Sequence, residues 1–154
     1  MTRALQTSAP AFAFPVRVYW EDTDAGGIVF YANYLKFMER ARTEWLRSLG
    51  IGQQALRERS GGMFVVSETQ LKYHRPARLD DELLVTAELR QTGAASATIA
   101  QRVLSKDEPT LLLCEGTIRI GWVDTATMRP SRIPADVAGT LERECSSISQ
   151  PLKP

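Results

Sequence analysis

The stretch VYWEDTDAGGIVFYANYLKFMERARTEWLRSL, residues 18–49, contains the features that decide the fold. Its segment 21–27, EDTDAGG, combines three acidic residues with two adjacent glycines. Such glycines supply left-handed backbone or close approach to a ligand, so this segment predicts a loop of unusual chemistry. From about Ala32 to Leu49 apolar residues recur at helical spacing. This periodicity predicts one long helix of about 27 Å.

Strand patterns flank the helix on both sides. Residues 16–20 alternate between apolar and other side chains, as a half-buried first strand does. Residues 53–59 are compatible with a short second helix. After Gly62 come four stretches rich in Val, Ile, Leu and Thr. Turn residues separate them at 75–76, 92–93 and 107–109. The pattern predicts an α+β domain, with one long helix laid on a curved, five-stranded antiparallel sheet.

Length, charge and cysteine content limit the function. The 154 residues, 44% of them hydrophobic, suit one domain with its own core. A formal net charge of +1 gives no general attraction to nucleic acid. The spacing of Cys114 and Cys145 fits neither a zinc site nor a disulfide framework, which favours a reducing, cytoplasmic setting. Residues 1–14 lack the apolar run of a signal peptide or membrane span, and we interpret them as a flexible tail. From about Thr125 the chain is rich in proline and serine, which predicts an extended or disordered tail.

The acidic loop leads into the amino end of the long helix, where backbone N–H groups lack partners. Such an end stabilises a carbonyl oxygen that becomes an oxyanion. Asp24, ionised at neutral pH, then has the position of a general base or nucleophile. The alternative from the residues alone is that Asp22 and Asp24 only form the turn and cap the helix.

Other reactive residues have ordinary interpretations. His74 is the only histidine, and we expect an edge residue, since no GxSxG motif accompanies it. Glu39 and Glu68 are rival carboxylates, expected to pair with a helix arginine and a cross-strand partner respectively. A run of arginines predicts a solvated face rather than a phosphate site; it comprises Arg40, Arg42, Arg47, Arg57 and Arg59.

The loop and helix sequence resembles the 4-hydroxybenzoyl-CoA thioesterase family, particularly its Tol-Pal-associated acyl-CoA thioesterase branch. The resemblance rests on VYWEDTDAGGIVFYANY (18–34), FMERARTE (37–44) and YHRPARLDDEL (73–83). It covers roughly residues 14–135 and implies the hotdog fold for that domain. Residues 1–13 and 136–154 are then the two tails.

The resemblance also implies site residues. Asp24 falls on the family's catalytic carboxylate, and Tyr31 on the residue whose backbone N–H polarises the thioester carbonyl. We expect substrate contacts from the intervening residues Gly27, Ile28, Val29 and Phe30. The implied reaction is hydrolysis of an acyl-CoA to free acid and CoA, without a metal or bound cofactor.

Two departures from the family pattern leave the substrate open. Position 31 is often histidine in the Tol-Pal-associated branch, whereas tyrosine resembles the aromatic-acyl branch. The aromatic-acyl branch also holds CoA phosphates with a basic cluster at a turn between middle strands. Here that turn is QTGAAS, residues 91–96, with only Arg90 and Arg102 nearby. The CoA nucleotide is therefore expected to be held differently or weakly.

Three rival functions remain beside acyl-CoA hydrolysis. The first is hydrolysis of an aromatic acyl-CoA such as hydroxybenzoyl- or dihydroxynaphthoyl-CoA. The second is a non-catalytic protein that binds acyl thioesters, and the poorer third is a hotdog dehydratase. One sheet on one helix leaves an edge strand and apolar surface uncovered, which predicts a homodimer or homotetramer with active sites between subunits.

Overall fold

The long helix forms as the sequence predicts. A computed structural model describes residues 12–148, and in it helix α1 spans Asn33–Ser48. One face of α1 is buried, comprising Asn33, Tyr34, Phe37, Met38, Ala41, Trp45 and Leu46. The burial repeats with the period of the helix, so the apolar stripe read from the sequence is the core-facing stripe.

The helix packs on one antiparallel sheet. Its strands in chain order are β1 (Ala13–Arg17), β2 (Gly62–Tyr73), β3 (Glu82–Thr86), β4 (Glu88–Thr92), β5 (Ser96–Ser105) and β6 (Leu112–Asp124). The spatial order is β1-β3-β5-β6-β2, and β4 pairs with β5 beside that path. The α+β class is confirmed, and the five predicted strands are accompanied by a sixth.

The sixth strand arises because one predicted strand is interrupted at Ala87. On its two sides β3 and β4 both pair with β5, and the β4 pairing contains a register shift between Leu89 and Gln91. At the interruption the Thr86 hydroxyl accepts a hydrogen bond from the Arg102 backbone N–H at 2.9 Å. A side chain thus replaces a ladder bond, which lets the strand change direction while Ala87 stays buried.

The predicted bounds of the first strand are wrong. The strand ends at Arg17, and residues Trp20–Asp22 form a 3₁₀ turn. Val16 and Val18 are buried as expected, but Trp20 is 78% exposed. Trp20 leaves the core face because its carbonyl closes the turn, accepting from the Thr23 N–H at 3.2 Å.

The prediction of an extended carboxyl-terminal tail is wrong for residues 135–148. They form helix α3 (Ala135–Ile148), which packs beside β4. Val137 and Leu141 are buried four residues apart, and Ile133 is buried just before the helix. Proline is tolerated ahead of a helix, so Pro134 marks its start rather than a disordered segment. Packed structure therefore continues beyond the predicted domain end at 135.

A second, short helix follows α1 and ends at a glycine. Helix α2 spans Gln53–Ser60 and buries Leu56, in agreement with the predicted short helix. Gly61 ends it with φ +69°, a left-handed conformation that suits glycine. Of the predicted tails 1–13 and 136–154, residues 1–11 and 149–154 lie outside the described residues, and Ala13 belongs to β1.

The contact between β2 and β6 depends on Gly116. A Cβ at this position would lie 2.3 Å from the Gln70 carbonyl oxygen, whereas one at Gly121 would be 3.9 Å from its nearest neighbour. We expect Gly116→Ala to destabilise the fold by about 1–3 kcal/mol because backbone must shift. Gly121→Ala should change stability little. Urea unfolding of both variants measures this, and equal midpoints would contradict the close approach.

Candidate active site

The acidic loop is a tight hairpin. The Asp24 N–H donates to the Ile28 carbonyl at 2.9 Å, and the Gly27 N–H donates to the Asp24 carbonyl at 3.1 Å. An isolated bridge joins Thr23 to Val29. Gly27 has φ +76°, which few residues other than glycine adopt. The glycine pair therefore reverses the chain and presents Asp24 near the tip.

The Asp24 carboxylate is exposed and only partly engaged. Its Oδ1 accepts a hydrogen bond from the Gly26 N–H at 2.8 Å, which fixes the side chain over the turn. No other hydrogen bond or ion pair joins this carboxylate to residues 12–148. Its second oxygen is therefore accessible to water or a ligand.

Asp22 has a different role. It is only 4% exposed, and its Oδ2 accepts from the Tyr19 N–H at 2.9 Å. Its carbonyl accepts from the Phe30 N–H and from Asn33 Nδ2, both at 2.9 Å. Both aspartates therefore make turn contacts, but Asp24 is exposed whereas Asp22 is buried. Its contacts hold the loop against the amino end of α1.

Two backbone donors are available at that end of the helix. The Asn33 N–H donates to the Phe30 carbonyl at 2.8 Å, so Tyr31 and Ala32 are the central residues of a turn. Within residues 12–148, no group accepts a hydrogen bond from the N–H of either. Tyr31 lies just ahead of Ala32, the residue that precedes α1. An incoming oxygen could bind to these amides.

The predicted substrate contacts are divided between surface and core. Phe30 is 43% exposed and Ile28 is half-buried, whereas Val29 is 4% exposed and belongs to the hydrophobic core. The Val29 N–H donates to the Ala77 carbonyl at 2.9 Å. The side chain of Val29 therefore anchors the loop, and the accessible members of the set are its neighbours.

An aromatic cluster beside the loop was not recognised in the sequence. The Tyr73 hydroxyl donates to the Tyr31 carbonyl at 2.9 Å, and the two rings lie edge to face at 6.5 Å. Tyr34 lies 5.6 Å from Tyr73, and its hydroxyl accepts from the Ala77 N–H at 3.1 Å. Burial raises the pKa of both Tyr34 and Tyr73, so both phenols stay neutral at neutral pH. The cluster fixes the strand end to the helix end.

The rival residues make other contacts. His74 Nε2 pairs with Glu115 Oε1 at 3.1 Å, as an edge residue does. Glu68 accepts from Gln70 on its own strand at 3.3 Å, rather than from a cross-strand partner. Glu39 forms no ion pair with a described arginine and instead accepts from the Thr43 hydroxyl at 2.8 Å. None of these contacts involves the acidic loop.

The interpretation of the arginine run as a solvated face is wrong for Arg42. This side chain is half-buried, and its Nη1 donates to Gln101 Oε1 at 2.9 Å. Arg47 and Arg59 do lie at the surface, in ion pairs with Glu44 and Asp136. The helical period alone could not separate Arg42 from them, because Arg42 is distinguished by a contact with Gln101, 59 positions away in the sequence.

Arg90 and Arg102, noted beside the middle turn, line a surface cavity of about 370 Å³ with Lys72. Arg90 is paired with Glu88 at 3.5 Å, and Glu115 lies opposite both Lys72 and Arg102 in the strand register. The cavity is thus of mixed charge rather than a cluster of cations.

Among residues 12–148, no three His, Cys, Asp or Glu side chains are arranged to hold a metal ion. No helix in that part of the chain is long and apolar enough to cross a membrane.

A long helix on an antiparallel sheet, with an acidic loop leading into the amino end of the helix, defines a hotdog-type domain. Residues 18–141 match the family model described as the thioesterase-like superfamily, and the chain belongs to that family.

Named relatives cover most of the chain. The acyl-CoA thioesterase YbgC of Haemophilus influenzae is 44% identical over 126 residues, which are 82% of this chain and 90% of the relative. The acyl-CoA thioester hydrolase YbgC of Escherichia coli O6:H1 is 39% identical, over 86% of this chain and 96% of that protein. Among solved structures, a probable thioesterase from Bartonella henselae is 32% identical. It superposes with a TM-score of 0.73, over 80% of this chain and 100% of its own.

The site geometry predicts different effects of changing the two aspartates. Asp24→Asn should lower turnover about a hundredfold or more with little loss of stability, because it removes the accessible carboxylate. Asp22→Asn keeps an acceptor oxygen for the Tyr19 N–H, so folded protein should retain most activity, at a cost of about 1 kcal/mol. Acyl-CoA hydrolysis and thermal melting measure the two effects. Near wild-type activity of Asp24→Asn would contradict the assignment.

Proposed function

We propose that this protein hydrolyses acyl-CoA thioesters to a free acid and CoA, with Asp24 and the Tyr31 backbone N–H as the catalytic groups. One observation carries the proposal: a partly engaged carboxylate lies near the tip of the acidic loop, and backbone amides with no acceptor among residues 12–148 follow its second arm. Family membership and the names of the YbgC relatives support the same reaction and substrate class.

In this mechanism the thioester carbonyl oxygen accepts a hydrogen bond from the Tyr31 N–H. Asp24 takes a proton from a water molecule, whose oxygen attacks the carbonyl carbon. The tetrahedral intermediate carries its negative charge on the former carbonyl oxygen, where the amide and the end of α1 stabilise it. Collapse breaks the carbon–sulfur bond, and the CoA thiolate leaves and takes up a proton. Direct attack by Asp24, through an anhydride that water then cleaves, needs the same groups.

The aromatic cluster favours a second candidate, an aromatic acyl-CoA. Phe30 and Tyr31 are exposed, and their ring centroids lie 4.8 Å apart beside the proposed carbonyl site. A flat acyl group could stack there. A panel of short, branched, long and aromatic acyl-CoAs, assayed by released thiol, separates the two substrate classes. Ligand binding without turnover of any member would indicate a non-catalytic binding protein instead.

A cytoplasmic location is part of the proposal. Within residues 12–148, Cys114 and Cys145 are not joined by a disulfide. Burial, with a smaller contribution from the Glu115 charge, raises the pKa of Cys114 to about 12. A thiol held protonated in this way is unreactive.

Substitutions at Tyr31 separate its backbone from its side chain. Tyr31→Phe and Tyr31→His should keep most of the rate because neither removes the amide donor. Tyr31→Pro removes the donor and should lower the rate about a hundred- to a thousandfold. Proline suits this first central turn position, so circular dichroism should show a folded protein. If Tyr31→Phe were as inactive as Tyr31→Pro, the phenol would be the catalytic group.

We also propose that the active unit is a homodimer or homotetramer with active sites between subunits. The 12-residue strand β2 ends the path of the sheet. Large side chains near it are exposed, with Val66 at 51% and Tyr73 at 48%. A long unpaired edge beside apolar surface favours association. Light scattering should give at least twice the mass of one chain. Dilution below the dissociation constant of the oligomer should abolish activity. A fully active monomer would contradict this.

A further inference from the structure

Helix α1 and strand β2 approach each other at two places, and we refer to the surface between these places as the groove. At one end the Tyr73 hydroxyl contacts the Tyr31 carbonyl. At the other end, side chains of both elements line one cavity, with Arg42 and Leu46 from the helix and Phe64 and Val66 from the strand. The helix and strand therefore run side by side in opposite directions, and the groove has a defined beginning and end.

The walls and floor of the groove are largely apolar. Val66, Thr69 and Tyr73 are the register partners of Ile120, Ile118 and Cys114 on β6. Those three partners are buried, so Val66, Thr69 and Tyr73 face the same side as the helix. On α1, Leu35 lies one turn before Glu39 and is 40% exposed toward solvent. Such a surface suits an aliphatic chain.

The far end of the groove is polar. Its cavity has a volume of about 220 Å³ and is lined by Glu39, Arg42, Thr43, Leu46, Gln53, Phe64, Val65, Val66 and Ile120. The Thr43 hydroxyl donates to Glu39 Oε1 at 2.8 Å, and Gln53 Nε2 donates to the Thr43 hydroxyl at 3.1 Å. Glu39 Oε2 has no hydrogen-bond partner among residues 12–148. An acceptor oxygen is therefore available at this end.

Arg42 supplies donors to the same cavity. Its only hydrogen bond within residues 12–148 is the one from Nη1 to Gln101, although a guanidinium carries five N–H groups. No described carboxylate lies within ion-pair distance of it. Burial lowers the pKa of Arg42, and the nearby charge of Glu39 opposes that change. A half-buried cation with spare donors stands beside a carboxylate with a spare acceptor.

A hydroxyl group fits this pair, because it accepts one hydrogen bond and donates another. A methyl group would leave the donors of Arg42 unsatisfied on desolvation. A carboxylate would accept from Arg42, but Glu39 would repel it and it has no hydrogen to donate to Glu39. The distance suits a medium-length chain. Eleven residues separate Tyr31 from Arg42, about 16 Å along a helix, and a helical side chain leans back toward the amino end.

We propose that the groove holds the acyl chain of the substrate and that Arg42 and Glu39 select a chain carrying a terminal hydroxyl. The inference rests on the proposed acyl-CoA hydrolysis and adds the class of acyl group. Gln101 then acts as a positioning residue. It is fully buried, and its Nε2 donates to the Met38 and Thr86 carbonyls at 3.0 and 3.2 Å. This leaves its oxygen to orient Arg42.

The test compares octanoyl-CoA, 8-hydroxyoctanoyl-CoA and the 8-carboxy analogue, with six- and ten-carbon pairs to cover the length. The wild type should prefer the hydroxylated chain in kcat/KM by about tenfold or more over the methyl-terminated chain. Arg42→Met should abolish that preference while octanoyl-CoA hydrolysis changes less than the hydroxylated reaction. Glu39→Gln should keep the preference over methyl and raise activity on the carboxylated chain.

Two further variants separate selection of the terminal hydroxyl from a general effect on the stability of the fold. Gln101→Met removes the neutral partner that orients Arg42, so it should lower the melting temperature and reduce, but not abolish, the preference for hydroxyl. Arg42→Lys keeps a charged donor and should retain part of the preference, which serves if Arg42→Met does not fold. Equal losses on both substrates in Arg42→Met or Arg42→Lys, or no preference in the wild type, would overturn the inference. A change in oligomeric mass would assign the cavity to a subunit contact and overturn it as well.

Binding separates this inference from the proposed function. Thioether analogues of octanoyl-CoA and 8-hydroxyoctanoyl-CoA cannot be hydrolysed, and titration calorimetry measures their affinities. If no acyl-CoA is hydrolysed but the hydroxylated analogue binds about tenfold tighter, hydrolysis fails and the subsite stands. If hydrolysis occurs and the analogues bind equally, the subsite fails and hydrolysis stands.

Discussion

The main-chain carbonyl of Asp22 is the point on which the site depends. It accepts hydrogen bonds from the Phe30 N–H and the Asn33 side chain, which join the two arms of the acidic loop to the start of α1. The buried Asp22 side chain accepts a hydrogen bond from the Tyr19 N–H. Asp22 is thus buried in contacts that shape the loop, whereas Asp24, two residues later, remains accessible. The same loop geometry leaves the amides of Tyr31 and Ala32 without acceptors in the described part of the chain.

Most of the fold was predictable because its signals are local and periodic. The α1 stripe from Tyr34 to Trp45 and the alternation in the later strands depend only on which side chains face the core. The turns coincide with glycine and proline, which act through backbone geometry. The bounds of β1 were not predictable in this way. Trp20 is apolar and in phase with Val16 and Val18, yet a turn hydrogen bond removes it from the strand.

The site was only partly predictable. Asp24 and Tyr31 have a local signal, since an acidic, glycine-rich loop leads into a helix. Tyr73 and Arg42 have none. Tyr73 reaches Tyr31 across 42 sequence positions, and Arg42 reaches Gln101 across 59. Helix α3 was missed for a related reason: its apolar residues Val137 and Leu141 are few, and they gain significance only from the β4 surface that they cover.

The pairing of β1 with β3 has a consequence for how the protein is made. Residues 13–17 meet residues 82–86, and the Val18 N–H reaches the Asp81 carbonyl at 2.9 Å. The second arm of the loop likewise depends on Ala77. Contacts of such long sequence separation form late, because the intervening chain must be ordered first. During synthesis the loop therefore cannot adopt its final shape until Ala77, Asp81 and β3 have been made. A ribosome-bound fragment ending before β3 would lack the strand that pairs with β1.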